Sequence, residues 1–213
     1  MWRKYKIDHV WTGGTRHYAG GYHGVTSVLS HTRPEHATRR IDEWKSKRSK
    51  EEQEAPAIRG TNVHALVEQK LLGTLERIPE QYKPFLDSGE NFFKLIAEIY
   101  LLEGSVWSPR GYAGTVDGVM SLRNPVDNVA HDYIVDFKTS DYLKSIRHDS
   151  KIQVAAYCGA VNRVYNKKIN RGKIVMLHPK GDSVLYDIEP EEMSRHWNEW
   201  LKRLERYKQY RSA

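Results

Sequence analysis

Apolar residues recur at helical spacing in the first half of the chain. In RGTNVHALVEQKLLG, Val63, Val67 and Leu71 stand four apart and would share one face of a helix. Thr61 or Asn62 is expected to cap this helix and Gly73 to end it. The segment therefore predicts an amphipathic helix that packs on a core.

Three neighbouring segments have their own patterns. GGTRHYAGGYHG predicts a loop or irregular hairpin, after which VTSVLS begins a helix. EHATRRIDEWKSKRSKEEQEA has few apolar anchors, so we expect one long, charged and largely exposed helix. Beyond an IPEQYKPF turn, FLDSGENFFKLIAEIYLL predicts a second amphipathic helix.

An alternating pattern follows, which is typical of strands. The segments SVWSP, GYAGTVDGVMSL and HDYIVDFKTS have strand character, and RNPVDN forms the turn between the last two. KIQVAAYCGAVNRVY predicts a helix, KIVMLHP and SVLYDIE a hairpin, and HWNEWLKRLERY a final amphipathic helix. We therefore expect one α/β domain over residues 1–213, with a small mixed sheet flanked by helices. Residues 1–57 would form a basic, helical N-terminal elaboration and residues 58–213 the core.

The charge of the chain is concentrated near its beginning. Residues 1–50 hold eleven Lys or Arg against four Asp or Glu, which accounts for the whole net charge of +7. Such a field attracts polyphosphates, because each neutralised phosphate releases counterions. A solvated helix face in RRIDEWKSKRSK is the simpler alternative.

Several classes of protein and site are excluded by composition. Cys158 is the only cysteine, which excludes intrachain disulfides, zinc knuckles and a cysteine-ligated iron–sulfur cluster. No apolar run approaches the roughly 20 residues that span a bilayer, so no membrane partner is expected. MWRKYKIDHVW lacks the apolar segment of a signal peptide. We therefore expect a protein of a reducing cytoplasm.

A pair of charges lies inside the apolar run YIVDFKTSD. Side chains alternate along a strand, so Asp136 and Lys138 would point to one side while Val135 and Phe137 face the core. In the preceding strand, Thr115, Asp117 and Val119 would also share a face. If the RNPVDN turn pairs the strands, Asp117 and Asp136 converge.

Two close carboxylates repel each other unless a cation lies between them. Carboxylate oxygens suit Mg²⁺ or Mn²⁺, and a lysine beside the metal could orient or deprotonate water and offset charge on a phosphate. This constellation predicts phosphodiester hydrolysis. An ion pair at the rim of the sheet is the alternative for Asp136 and Lys138.

Two helical pairs could complete the site. His64 and Glu68 are four apart, as are Gln153 and Tyr157, so each pair lies on one helical face. The first could direct an imidazole and a carboxylate to one point, and the second could donate to a phosphate or a base. Either pair alone would be typical of a solvated helix surface.

In order, RGTNVHALVE, GTVDGV, IVDFKTS and QVAAY resemble the motifs of the RecB-like branch of the PD-(D/E)XK nuclease superfamily. VDFKTS, IQVAAYCGAVN and HWNEWLKRLERY resemble most closely the mitochondrial genome maintenance exonuclease family and its phage-encoded relatives. The resemblance extends from about VTSVLS to the C-terminus. It implies a restriction-endonuclease-like core, a mixed central sheet flanked by helices.

The resemblance also implies roles for particular residues. His64, Asp117, Asp136 and the backbone carbonyl of Phe137 would bind Mg²⁺ or Mn²⁺, and Lys138 would position or activate the attacking water. Gln153 and Tyr157 would hold the DNA strand and support the site, with Glu68 and Glu103 at acidic positions nearby. The proposed DNA-binding cations are Arg39, Arg40, Lys45, Lys47, Arg48 and Arg59.

The chain departs from its relatives in two respects. Many RecB-like nucleases carry a four-cysteine iron–sulfur cluster, which one cysteine cannot form. We also expect no mitochondrial presequence, because the N-terminus reaches the globular pattern almost at once. We therefore expect a stand-alone bacterial or phage exonuclease that acts on single-stranded DNA and leaves 5′-phosphates. A structure-selective endonuclease on the same core and a non-catalytic DNA-binding accessory protein are the alternatives.

Overall fold

The structure is a computed structural model that describes residues 1–12, 15–142 and 145–212. The described residues form eight strands: β1 (His9–Thr12), β2 (Thr15–Tyr18), β3 (Tyr22–Gly24), β4 (Ile96–Ser108), β5 (Tyr112–Arg123), β6 (Ala130–Thr139), β7 (Arg171–Leu177) and β8 (Val184–Ile188). They also form seven α-helices: α1 (Val25–His31), α2 (Glu35–Ser46), α3 (Lys50–Leu72), α4 (Lys83–Ser88), α5 (Glu90–Phe93), α6 (His148–Tyr165) and α7 (Pro190–Ser212). A 3₁₀ turn, Glu80–Tyr82, precedes α4.

All of these strands belong to one mixed sheet. The order β1-β2-β3-β5-β6-β7-β8 is hydrogen-bonded in sequence, and β4 pairs in addition with β5. The β3–β5 and β6–β7 pairs are parallel, whereas the other pairs are antiparallel. The prediction of a mixed central sheet flanked by helices is confirmed.

Strand β5 pairs with β4 along one edge, from Tyr112 to Leu122. Its other edge is shared by two strands, β3 and β6. On the shared edge, β3 pairs with Tyr112 and Ala113, and β6 pairs from Gly118 onwards. Residues 114–117 therefore lie where β3 has ended and β6 has separated from β5. This opening in the sheet positions the candidate site.

Apolar side chains form a separate core on each face of the sheet. Ile134 of β6 packs with the buried residues of α1, α6 and α7. Its neighbours Val135 and Phe137 pack with different buried residues, including those of α3 and α4. Phe137 thus faces the core, as predicted, while Asp136 points towards α6.

The predicted alternation fails at one place in β5. Val116 and Val119 both pack in the core on the α6 side, although strict alternation would place them on opposite faces. Asp117 therefore does not share a face with Val119, contrary to the prediction. Beyond this irregularity, Met120 and Leu122 pack on the α3 side.

The beginning of α3 corrects two sequence predictions. The charged segment is two helices rather than one, because α2 ends at Ser46 and Ser49 starts a new helix with a capping box to Glu52. Thr61 and Asn62 lie inside α3 and do not cap it. Gly73 ends α3 as predicted, with a left-handed φ of 71° that glycine adopts without strain.

The segment KLIAEIYLL belongs mostly to strand β4, so the prediction of a second amphipathic helix there is wrong. Only the short helices α4 and α5 form in the preceding residues. The register of β4 against β5 shifts between Ile96 and Glu98 and again between Ile99 and Leu101. These irregularities break the two-residue alternation and give the apolar residues a spacing that resembles a helix.

The later elements agree with their predictions. β5 and β6 flank the RNPVDN turn, α6 covers KIQVAAYCGAVNRVY, and β7 and β8 form an antiparallel hairpin. α7 buries Trp200, Leu204 and Tyr207 against the sheet and its neighbouring helices. No helix among the described residues combines the length and apolarity needed to cross a membrane.

The N-terminal segment is joined closely to the rest of the fold. It contains three strands besides its helices, and β3 pairs directly with β5. The predicted boundary between residues 57 and 58 falls inside α3.

Candidate active site

The candidate site lies where β5 and β6 separate. Gly118 and Val135 form the last backbone pair between these strands. Two residues further along β6, the backbone N–H of Phe137 donates to Asp117 Oδ2 at 2.8 Å. A carboxylate thus takes the place of a partner strand, which fixes the Asp117 side chain in the opening.

Helix α3 places His64 over the same opening. Its Nε2 lies 2.8 Å from the carbonyl oxygen of Phe137. Because a carbonyl can only accept, Nε2 carries the hydrogen and Nδ1 is the nitrogen that faces the acidic groups. Nδ1 lies 3.5 Å from Asp117 Oδ2 and 3.7 Å from Glu103 Oε1.

Glu103 reaches this cluster from strand β4. It lies between the pairs Leu102↔Gly118 and Gly104↔Val116, and so stands beside Asp117. Its φ of 46° is left-handed, a conformation that costs a non-glycine residue about 1 kcal/mol or more. One ligand atom each from His64, Glu103 and Asp117 lie within 4.8 Å of one another.

A second group of polar side chains extends from β6 to α6. Lys138 Nζ lies 2.9 Å from Asp136 Oδ1 and 2.7 Å from Oδ2. Gln153 donates to Asp136 Oδ1 at 3.1 Å, and its side-chain oxygen lies 3.5 Å from Lys138 Nζ. Gln153 is held in turn by Tyr157, whose hydroxyl lies 3.2 Å from Nε2. Asp136, Lys138, Gln153 and Tyr157 therefore form one connected hydrogen-bond network.

Tyr157 is positioned by a glycine in the opening of the sheet. A Cβ on Gly114 would lie 2.5 Å from Tyr157 Cε1, so the ring occupies the space that a side chain there would need. Tyr157 is only 4% exposed, so it supports Gln153 from inside the core rather than offering a surface to DNA.

The pKa of His64 is raised to about 9. Burial opposes the charged imidazolium, but the carboxylates of Asp117 and Glu103 outweigh this effect. The imidazole is therefore protonated at neutral pH while no cation competes for the same carboxylates.

Burial raises the pKa of the carboxyl groups of the site, whereas it acts to lower that of the His64 imidazole. Burial, with repulsion from Asp117, raises the pKa of Asp136 to about 6 against the attraction of Lys138. Burial also raises the pKa of Asp117, although His64 and Lys138 lower it. For Lys138, burial favours the neutral amine, but Asp136 and Asp117 prevail and raise its pKa. Lys138 is therefore an ammonium at neutral pH.

These groups fit a bound divalent cation by two tests. The Asp136 side chain is 1% exposed, and its Oδ2 has the ion pair with Lys138 Nζ at 2.7 Å but no hydrogen bond of normal geometry among the described residues. The imidazole and two carboxylates beside it can approach a single point. Carboxylates suit Mg²⁺ and Mn²⁺.

Some predicted residues have other partners. The carbonyl of Phe137, predicted as a metal ligand, accepts from His64 instead. Glu68 lies one turn beyond His64 but pairs with Lys4 at 2.7 Å, outside the cluster. These two roles stay predictions, and the structure gives each group a different contact.

The predicted DNA-binding cations fall into two sets. None of the described side chains of α2 is buried, so its cations project from an exposed helix that ends at Ser46. Arg48, just beyond, stacks on the ring of Trp44 at 4.7 Å. Arg59 is different, because it is 17% exposed and its Nη1 lies 2.7 Å from Asp141 Oδ2.

Arg59 has a structural role that its sequence context did not reveal. The Arg59–Asp141 ion pair ties α3 to the residues just after β6, and Gly60 lies next to Thr139. With the contact between His64 and Phe137, these pairs align α3 along β6. Asp141 is the last residue of YIVDFKTSD, and only its long-range contact could have identified its partner.

Three known proteins that are similar to this chain in sequence carry the same name. No protein-family model matches the chain. Mitochondrial genome maintenance exonuclease 1 from Xenopus tropicalis is 32% identical over 203 residues, which cover 86% of this chain and 56% of the relative. The mouse and human proteins of that name are 27% and 26% identical, again over 86% of this chain and over 58% and 57% of theirs. The chain is homologous to these proteins. It spans somewhat more than half of their length.

Two solved structures show a loose likeness. The crystal structure of SSO0001 gives a TM-score of 0.38 at 15% identity, over 85% of this chain and 76% of that one. A candidate exonuclease from Eubacterium rectale gives a TM-score of 0.45 at 12% identity, over 87% and 82% of the two chains.

Proposed function

We propose that this chain is a metal-dependent deoxyribonuclease that removes nucleotides from an end of single-stranded DNA and leaves 5′-phosphates. The observation that carries the proposal is the convergence of His64, Glu103 and Asp117 beside the Asp136–Lys138 pair, where β5 and β6 separate. Homology to proteins named as exonucleases supports the same reaction class.

The proposed cation is Mg²⁺ or Mn²⁺, held by Asp117 and Asp136 with His64 and Glu103. When bound, it would supply positive charge that polarises the phosphate undergoing hydrolysis. His64 would bind through Nδ1, because Nε2 donates to the Phe137 carbonyl. That hydrogen bond orients the imidazole, a common arrangement for ligating histidines.

Lys138 acts through its charge in this proposal. An ammonium group has three donors, and Asp136 of β6 and Gln153 of α6 both accept from it. Asp136 and Asp117 raise the pKa of Lys138, so with no cation bound it is a charged ammonium group. Such a group would orient water and offset the negative charge that develops on the phosphate.

The hydrolysis step is balanced by the addition of one water molecule. Its oxygen forms a bond to phosphorus as the bond between phosphorus and O3′ breaks, and a proton passes to O3′. The products are a 5′-phosphate and a 3′-hydroxyl. Gln153 contributes by fixing both Asp136 and Lys138 in the geometry that this step requires.

The exposed cations of α2 would guide the DNA strand towards the site. α2 is linked to α3 through the short segment that follows Ser46, and α3 carries His64. α2 itself holds three cations and three acids, so the positive excess of this segment comes from Lys47, Arg48 and Lys50 beyond its end. Together these cations would attract the phosphate backbone whatever its sequence. We further propose that the chain is a RecB-like member of the PD-(D/E)XK superfamily, with a restriction-endonuclease-like core.

A labelled-strand assay tests the proposal. The protein is incubated with Mg²⁺ or Mn²⁺ and with 5′-labelled, 3′-labelled or covalently closed circular single strands. We expect end-dependent shortening of the linear strands and an intact circle. Cleavage of the circle would indicate an endonuclease, and metal-dependent binding without hydrolysis would indicate the accessory protein.

A further inference from the structure

A second cluster of metal-binding side chains lies where α6 begins and passes α7. His148 Nε2 is 2.8 Å from Glu199 Oε2, and the rings of His148 and His196 are 5.2 Å apart at an interplanar angle of 70°. One ligand atom each from His148, His196 and Glu199 lie within 4.8 Å of one another. We infer that these three residues form a separate site for a first-row transition ion, with Zn²⁺ as its most suitable occupant.

The ligand types favour this class of ion. Two imidazoles and one carboxylate suit Zn²⁺, Co²⁺ or Ni²⁺, whereas Mg²⁺ and Ca²⁺ prefer an all-oxygen set. Three protein ligands also leave one position of a tetrahedral zinc ion for water. His148 is exposed at 59% of its side chain, so an ion can enter from solvent.

The surroundings of His196 resemble the support that ligating histidines receive. Glu192 Oε1 lies 3.2 Å from His196 Nε2, and Lys151 Nζ lies 2.8 Å from the same carboxylate oxygen. Zinc-bound histidines usually donate their second ring nitrogen to a carboxylate, which fixes the tautomer and the ring orientation. Glu192 can fill this role and leave Nδ1 of His196 for the ion.

The helices are already fixed against each other on both sides of the cluster. The buried Arg203 of α7 donates to Asp149 of α6 at 2.6 Å. Trp200 follows Glu199 directly and is fully buried. The ligands therefore lie on two helices that are already held together, so binding would not require the helices to rearrange.

This site is distinct from the candidate active site. His148 and Lys151 contact α7, whereas Gln153 of the same helix contacts Asp136 in the sheet. A bound ion would join α6 to α7 and stabilise the helix that carries Gln153. Its role would be structural, with no step in the hydrolysis.

Calorimetric titration with Zn²⁺ tests the inference. The full chain is titrated in a buffer with millimolar Mg²⁺, together with the variants His148→Ala and Glu199→Gln. Both positions are partly exposed, so neither change opens a cavity in the core. We expect each variant to lose at least about tenfold in Zn²⁺ affinity at this site.

Two controls separate this site from other histidines. His36 is exposed on α2, so His36→Ala should leave Zn²⁺ binding unchanged. His64→Ala removes a ligand of the active-site cluster and should still bind Zn²⁺ at the site between α6 and α7. The Mg²⁺-dependent cleavage of DNA should be unchanged in His148→Ala.

Two results would overturn the inference. One is an equal Zn²⁺ affinity and stoichiometry in the wild type and His148→Ala, including the absence of binding in both. The other is the loss of all Zn²⁺ binding in His64→Ala. Because the readout is zinc binding, it remains informative even if no DNA hydrolysis is found.

Discussion

Asp117 accepts a hydrogen bond from the backbone nitrogen of Phe137 at 2.8 Å, just beyond the last backbone pair between their two strands. The carboxylate therefore has two functions. It satisfies a main-chain donor at the point where the strands part, and it presents its charge to His64. Structure and proposed chemistry depend on the same atoms.

Substitutions at Asp117 can separate these two functions. Asp117→Asn keeps a side-chain oxygen for the Phe137 N–H, so we expect a stable fold with cleavage reduced at least about 100-fold. Asp117→Ala removes the acceptor as well and should cost a further 1–3 kcal/mol or so in the free energy of unfolding. Denaturant unfolding and single-strand degradation measure the two effects. Equal stability of the two variants would contradict the structural role.

The left-handed backbone of Glu103 gives a second prediction. Glycine adopts a φ of 46° without a steric penalty, whereas alanine does not. We therefore expect Glu103→Gly to be more stable than Glu103→Ala by about 1 kcal/mol, the reverse of their usual order inside a strand. Both variants should lose metal-dependent cleavage.

Val184 of β8 supplies the control, because its φ is not positive. The same two substitutions are made there. There, alanine should be the more stable of the two. An alanine variant more stable than glycine at position 103 would mean that the backbone is not strained. Thermal unfolding of the four variants measures both differences.

The sequence was sufficient for elements whose pattern is regular. β6 and α6 were predicted because Val135, Phe137 and the apolar face of α6 follow simple periods. The prediction failed for β4, where irregular pairing gave a strand the spacing of a helix. Alternation breaks down in the same way in β5, between Val116 and Val119.

Some contacts of the candidate site could be predicted from the sequence, and others could not. Alternation was enough to predict that Asp136 and Lys138 meet on one side of β6, and they do. The contact between Asp117 and the Phe137 backbone depends on where two strands stop pairing, which no local pattern encodes. Glu103 likewise reaches the site because β4 pairs with β5, which no local pattern encodes.

We expect Asp149 to make the free energy of unfolding depend on pH. Burial raises its pKa, but hydrogen bonds from Arg203 and Arg33 outweigh this and hold the pKa below its usual value. A lowered pKa in the folded state stabilises the fold above the unfolded pKa of about 4, and this stabilisation is lost as the pH falls through the folded value.

The comparison of wild type with Asp149→Asn measures this contribution. At neutral pH the variant should be less stable by about 1–3 kcal/mol, because the buried Arg203 loses its counterion. The difference should shrink as the pH falls below about 4. Asp182→Asn, in the exposed turn before β8, should show neither effect. A difference that is constant from pH 7 to pH 3 would contradict the assignment.

The cations of α2, together with Lys47 just beyond its end, should affect DNA binding without affecting the fold. A triple variant, Arg40→Gln, Lys45→Gln and Lys47→Gln, removes three exposed charges. We expect weaker single-strand binding and a slope of log affinity against log salt that is smaller in magnitude by about 2. Fluorescence anisotropy at several salt concentrations measures that slope.

Three exposed cations of α7 provide the matched control for this triple variant. Changing Arg195, Lys202 and Arg206 to Gln alters the net charge equally on another surface. We expect a much smaller change in the salt slope. Equal slopes for the two triple variants would show that α2 has no special role.

The most direct measurement of the proposed function is the rate at which Lys138→Ala degrades labelled single-stranded DNA with Mn²⁺. Lys173→Ala is its control, because Lys173 is also largely buried in an ion pair and its side chain contacts Asp187 and Tyr133, which are not site residues. We predict metal-dependent degradation by the wild type and Lys173→Ala, none in EDTA, and a loss of at least about 100-fold in Lys138→Ala. Wild-type activity in Lys138→Ala, or activity of the wild type in EDTA, would contradict the proposed function.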